Sequence, residues 1–176
     1  MKQLLTIKQQ DFDAESPTID ASTFNEREAA RAVLLDKDGQ VYLLNVSVHG
    51  YYKLPGGGID AGETVEAAMR RELLEEVGCE AEIIAELGII VEFRDFEQLK
   101  QTSYCYLAKQ TGKQRPSTLE EGELEEGMYE VKAKSLDDAI TLLERDAPDN
   151  IEGRFIQRRD LCFLKAAKAA EGKSHD

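Results

Sequence analysis

Glu72, Glu75 and Glu76 lie in one stretch, Thr64 to Val77, that holds no Gly or Pro and is rich in Ala, Glu, Arg, Leu and Met. These residue types favour a helix, and Gly78 stands where a helix-ending residue belongs. Each helical residue turns about 100°. With Val65 at zero, Met69, Leu73 and Val77 therefore fall at about 40°, 80° and 120° and mark an apolar stripe. Glu76 falls at about 20°, on the edge of that stripe, Glu72 at about −20° and Glu75 at about −80°. At an effective dielectric constant of about 20, two carboxylates about 4 Å apart repel by roughly 4 kcal/mol. Either one takes a proton or a cation sits among them. Carboxylate oxygens suit a hard divalent ion, Mg²⁺ or alternatively Mn²⁺, of the kind commonly shared with substrate phosphates.

The segment before this helix contains Pro55, then Gly56, Gly57 and Gly58, and later Gly62. Glycines let a backbone approach a phosphate closely, and the start of a helix favours anions. Taken singly, each feature has an ordinary reading. A helix bearing Glu63, Glu66, Glu72, Glu75 and Glu76 in an acidic protein can be a solvated face, and a Gly-rich loop can be a turn. Their adjacency favours chemistry, with Gly56, Gly57 and Gly58 as the substrate-binding loop.

The same residues carry a family pattern. Gly57, Glu63, Arg71, Glu72, Leu73, Glu75, Glu76 and Gly78 resemble the Nudix box, G-x5-E-x7-R-E-U-x-E-E-x-G-U. Cys79 fills the last, usually bulky apolar position and is a mild departure. The resemblance implies an α/β/α sandwich with a mixed sheet, and hydrolysis of a nucleoside diphosphate linked to another group. It further implies Glu72, Glu75 and Glu76 as metal ligands with the Gly57 carbonyl, one glutamate orienting the attacking water, and Arg71 paired with Glu63 to brace loop against helix. A further carboxylate is expected on a loop outside the box, and the run from Glu120 to Glu126 is the reservoir, without a signal that selects one member. The family's markers for ADP-ribose and for dinucleoside polyphosphates are absent where Asp95, Phe96 and Glu97 stand. A nucleoside triphosphate, a nucleotide sugar and an oxidised nucleotide stay open as substrates. A regulatory module of the same fold that binds a nucleotide without cleaving it is the alternative, although such a module would be free to lose carboxylates. A structural or interaction protein with an acidic surface helix is a third reading.

The surrounding elements must hold this constellation. Ala29 to Leu35 and Gln40 to Val46 read as two paired strands around the turn residues Asp36 to Gly39, and Val46 to Gly62 as a loop. Ala81 to Phe93 and Leu99 to Ala108 read as a second hairpin. An exposed acidic loop from Thr111 to Gly127 leads to a strand at Met128 to Lys132. Ser135 and Asp138 open a helix running to about Arg145, and a C-terminal helix is expected over residues 150–172 despite Gly153. Residues 1–25 are an extension or a strand. The order makes an α+β (mixed α/β) fold, read as a single domain over residues 1–176.

The chain's 176 residues suit one domain. A formal charge of −13 disfavours a nucleic-acid polymer as partner, leaving a small-molecule nucleotide approached through the metal. No apolar run is long enough for a membrane span and the start does not read as a secretory leader. Cys79, Cys105 and Cys162 are odd in number and form no C-x-x-C pair, which fits a reducing cytoplasm. A homodimer stays open. His49 and Tyr51 or Tyr52 could touch substrate or be structural, and Arg154 and Arg158 read as surface partners of acids.

Overall fold

The computed structural model describes residues 1–173. Its elements in chain order are β1 (Gln3–Lys8), β2 (Asn25–Leu35), β3 (Val41–Val46), β4 (Tyr51–Lys53), β5 (Gly56–Gly58), α1 (Val65–Val77), β6 (Glu80–Arg94), β7 (Leu99–Thr111), α2 (Glu121–Glu125), β8 (Met128–Ala133), α3 (Leu136–Arg145) and α4 (Ile151–Lys173). The main sheet runs β1-β6-β7-β2-β3-β4, with β5 added to β2 and β8 to β3. It is mixed: β1 lies parallel to β6 and β2 parallel to β7, while the other pairs are antiparallel. The first residues, which the sequence leaves unplaced, thus supply a strand of this sheet.

Successive strand residues point to opposite faces, and the core divides accordingly. On one face Ala30, Ala32 and Leu34 of β2 pack with Met69, Leu73 and Val77 of α1. On the other, Val33 and Leu35 pack with Leu136 and Leu143 of α3 and Phe155, Phe163 and Leu164 of α4. The result is a three-layer α/β/α sandwich. α1 begins at Thr64, whose hydroxyl accepts the Ala67 N–H, and ends at Gly78 with φ 65°, a left-handed cap that suits glycine. Gly153 in the first turn of α4 also has a reason: a Cβ there would meet Pro148, Asn150 and Tyr51 within 3 Å.

Three expectations need correction, and together they shape the site. The turn between β2 and β3 forms, with the Asp36 carboxylate accepting the Asp38 and Gln40 N–H groups, yet the two strands pair only at Leu35 and Val41. Beyond that point they splay. The segment expected as a plain loop enters the gap as two short strands, β4 pairing with β3 and β5 with β2. Between them Leu54 donates to the buried Asp160 carboxylate of α4 and the Pro55 carbonyl accepts the Ala32 N–H. The glycines break long regular elements without preventing short backbone pairing. The loop from Thr111 to Gly127 likewise contains a short helix, α2, started by a capping box of Glu120 and Glu123.

Candidate active site

A cleft of about 460 Å³ is lined from both sides of this split in the sheet. Its acidic wall comes from α1 and β5. The angular order read from the sequence reappears as burial: the Glu76 side chain is 2% exposed, Glu72 12% and Glu75 38%. Glu76 accepts the Gly56 N–H at 2.6 Å and lies 3.8 Å from the Lys53 ammonium. Burial pushes its carboxyl up to about 8, with Glu123 adding to the push and Lys53 opposing it. Burial also raises Glu72, against the pull of Arg71.

Arg71 is the hub of the acidic wall. Its guanidinium donates to Glu63 at 2.9 and 3.0 Å, to Glu72 at 2.6 Å, to Glu75 at 3.3 Å and to the Gly58 carbonyl at 2.9 Å. Glu63, held well below the usual carboxylate range by these bonds, also accepts the Asp60 N–H and so ties the loop to the helix. The glycines meet two different needs. Gly56 has φ 134°, and a Cβ on it would collide with the Ala30 carbonyl, so only glycine fits this crossing. A Cβ on Gly57 would sit 2.5 Å from a Glu72 oxygen, so its absence leaves the space the Glu72 carboxylate occupies.

The three box glutamates therefore face one cleft but are not gathered on a single point, and among the described residues no cluster of three or more His, Cys, Asp or Glu forms a ready-made cage. Glu72 and Glu75 lean on Arg71, Glu76 on Gly56. The donor set is nonetheless what a hard divalent cation takes: carboxylates, a nearby backbone carbonyl, and one carboxylate desolvated more than the Lys53 ammonium offsets. From the acidic run, Glu120, Glu123 and Glu126 line the cleft. Their three-residue spacing on a helical turn is a signal the sequence contained and composition alone does not single out.

The opposite wall was not foreseen. Arg27 and Arg31 of β2, Arg94 of β6, Gln101 of β7 and Arg159 of α4 line the same cleft. The Arg31 guanidinium donates to the Gly56 carbonyl, so Gly56 is gripped through its N–H by one wall and through its oxygen by the other. Burial, reinforced by the nearby Arg159, lowers Arg31 to about 10. No local motif marks these arginines, because they come together only through strand order and the packing of α4.

Of the other residues singled out in the sequence, Tyr51 reaches the cleft and the rest lie elsewhere. His49 pairs with Asp149 at 3.0 Å. Tyr51 lines the cleft while almost fully buried, and Tyr52 packs against the core beside α3 and α4. Arg158 lies 3.6 Å from Asp11 and over the Phe12 ring. Cys79 and Cys105 are buried, Cys162 half-buried, and all three are free thiols. Among the described residues no helix is long and apolar enough to cross a membrane.

Residues 25–153 match the model of the NUDIX domain. The chain belongs to the NUDIX family. It is 43% identical over 56 residues to an RNA pyrophosphohydrolase of Wolbachia pipientis, covering 31% of this chain and 35% of that one. An ADP-ribose pyrophosphatase of Methanocaldococcus jannaschii is 37% identical over 59 residues, covering 32% of this chain and 35% of the relative. The chain thus spans about a third of the length of these curated relatives. A NUDIX hydrolase from Nitrosomonas europaea superposes with a TM-score of 0.59 at 14% identity, over 83% of this chain and 90% of that one, a likeness of fold. β1 and most of α4 lie outside the matched NUDIX segment, yet β1 joins the sheet and α4 supplies Arg159 to the cleft.

Proposed function

We propose that this NUDIX protein is a metal-dependent hydrolase that cleaves the pyrophosphate linkage of a nucleoside diphosphate linked to another group. The observation that carries this reading is the placing of Glu72, Glu75, Glu76 and the Gly57 backbone along one cleft, braced by Arg71 and Glu63. Relatives named for RNA and for ADP-ribose share pyrophosphate hydrolysis as their common chemistry. A nucleoside triphosphate, nucleotide sugar or oxidised nucleotide fits the same reaction.

Glu72, Glu75, Glu76 and the Gly57 carbonyl would hold Mg²⁺ or Mn²⁺. Such an ion, when bound, neutralises charge on the non-bridging phosphate oxygens and acidifies a water. Arg71 keeps Glu72 and Glu75 pointed at the cleft, and the Gly56 N–H does the same for Glu76. Water adds to one phosphorus, the bridging P–O bond breaks, and the water's proton passes to a carboxylate of the cleft. Glu120, Glu123 and Glu126 of the α2 segment face the site for that role. The test is a nucleotide panel with Mg²⁺, following phosphate and pyrophosphate release. Turnover that vanishes in excess chelator supports the reading; unchanged turnover in chelator overturns the metal's role, and tight nucleotide binding without any product favours a regulatory module.

A further inference from the structure

The acceptors on the arginine wall are already used. Glu92, fully buried, accepts two bonds from Arg94 and one from Gln101. Asp160, also fully buried, accepts from the Leu54 N–H and from Arg159 Nε. Donors are left over. Arg159 is completely buried, yet its Nη1 and Nη2 groups make no hydrogen bond, and Nη1 stands 3.5 Å from Glu92 as an ion pair only. Arg31 Nε, 6% exposed as a residue, is likewise unpaired. Both side chains line the cleft, and Arg27 reaches its mouth, hydrogen-bonded to Gln101 and close to Gly58. Buried polar groups normally have partners, so unpaired, buried guanidinium donors on side chains that line a cavity mark a place for an acceptor.

We propose that this end of the cleft is an anion subsite, in which Arg159 and Arg31, with Arg27 at the mouth, bind a phosphate or carboxylate that the substrate carries in addition to its pyrophosphate. A guanidinium fork matches those two groups with paired N–H bonds. A neutral nucleobase is a poorer occupant, because Tyr51 and Ile156 are the apolar or aromatic side chains in the lining and both are almost fully buried. The word substrate here rests on the hydrolase reading. The subsite itself does not.

The first measurement is therefore made without metal, in excess chelator, by calorimetric titration with inorganic phosphate and with succinate at constant ionic strength. Saturable binding of phosphate, of succinate or of both is expected, and identifies which anion fits. Arg27→Gln, at an exposed position that spares the core, is expected to weaken it at least about fivefold, and Arg154→Gln, an exposed position outside the cleft lining, to leave it in place. Arg159→Gln should abolish it; if that variant does not fold, Arg27→Gln still decides. No saturable binding by either anion, or binding unchanged in Arg27→Gln, overturns the subsite. The second measurement compares hydrolysis of NADPH with NADH and of UDP-glucuronate with UDP-glucose in Mg²⁺. The anionic member of at least one pair should show at least about tenfold higher kcat/KM, and Arg27→Gln should erase the difference through KM. Equal rates within both pairs overturn the substrate assignment. Hydrolysis of none of the four overturns the substrate assignment; with metal-free binding intact the anion subsite stands, and the nucleotide panel decides the hydrolase reading separately.

Discussion

The two walls of the cleft are built by opposite means. The acidic wall is contiguous in sequence, from Gly56 to Glu76, and is internally satisfied: Arg71 holds Glu63, Glu72 and Glu75, and the Gly56 N–H holds Glu76. The basic wall collects Arg27, Arg31, Arg94 and Arg159 from two inner strands and the last helix, and leaves guanidinium groups unpaired. A contiguous motif can carry its own bracing because its members are neighbours on one helix and the adjoining loop. A wall assembled from distant segments depends on the whole fold, and the donors it leaves over point to something outside the chain.

The largest effect expected from breaking the acidic wall is at Glu76. Glu76→Gln should cut hydrolysis at least about 100-fold, roughly 2.7 kcal/mol of transition-state stabilisation, by removing charge from a side chain already packed without room to spare. The amide can still accept the Gly56 N–H. In chelator the variant should melt no lower than the parent, and its melting temperature should rise less when Mg²⁺ is added. Full activity together with the full Mg²⁺ shift would make Glu76 a structural glutamate and leave the acidic wall's part in catalysis to Glu72 and Glu75.

A smaller effect is expected at Gly57. In Gly57→Ala the new methyl would meet the end of the Glu72 side chain, which can swing aside at little cost to the fold. Turnover should fall about tenfold while melting temperature changes little, since misplacing one oxygen donor costs catalysis more than stability. Equal activity of the variant would show that the position of Glu72 against this glycine is immaterial.

The smallest effect separates burial from function. Asp146, at the end of α3 and outside the cleft lining, accepts the Tyr52 N–H at 2.7 Å, and burial raises its carboxyl to about 6. The unfolded chain releases this proton at about pH 3.9 and the folded chain only near 6, so stability declines as pH rises between those values and stays lower above them. Asp146→Asn removes that slope. Allowing for the partial exposure of the site, it should stabilise by about 1 kcal/mol at pH 7–8, with no gain below pH 4, measured by denaturant titration. A loss of activity in this variant would show that the contrast between cleft carboxylates and structural ones is drawn in the wrong place.

Much of the acidic wall was legible in the sequence because helical periodicity is local. The angles assigned to Glu76, Glu72 and Glu75 against the Met69, Leu73 and Val77 stripe reproduce their order of burial, and Thr64 and Gly78 cap the helix that carries them. Strand content was legible from β-branched and aromatic runs, and the layering from element order. Pairing was not. The turn at Asp36 to Gly39 announces a hairpin, but nothing local reveals that β4 and β5 take the facing edges and hold β2 and β3 apart.

By itself, then, the sequence determined the helix, its caps and the glycine loop, because each depends on residues a few positions apart. Only the tertiary structure decided that the sheet opens beside that helix, and that Glu120, Glu123 and Glu126 face the opening. It alone brought Arg31 and Arg159 together, since two guanidinium groups repel and nothing in their own neighbourhoods draws them toward each other. Arg159 is held there by Glu92, Asp160 and the packing of α4 on the sheet, and Arg31 by the Gly56 carbonyl, contacts that exist only when every layer is in place.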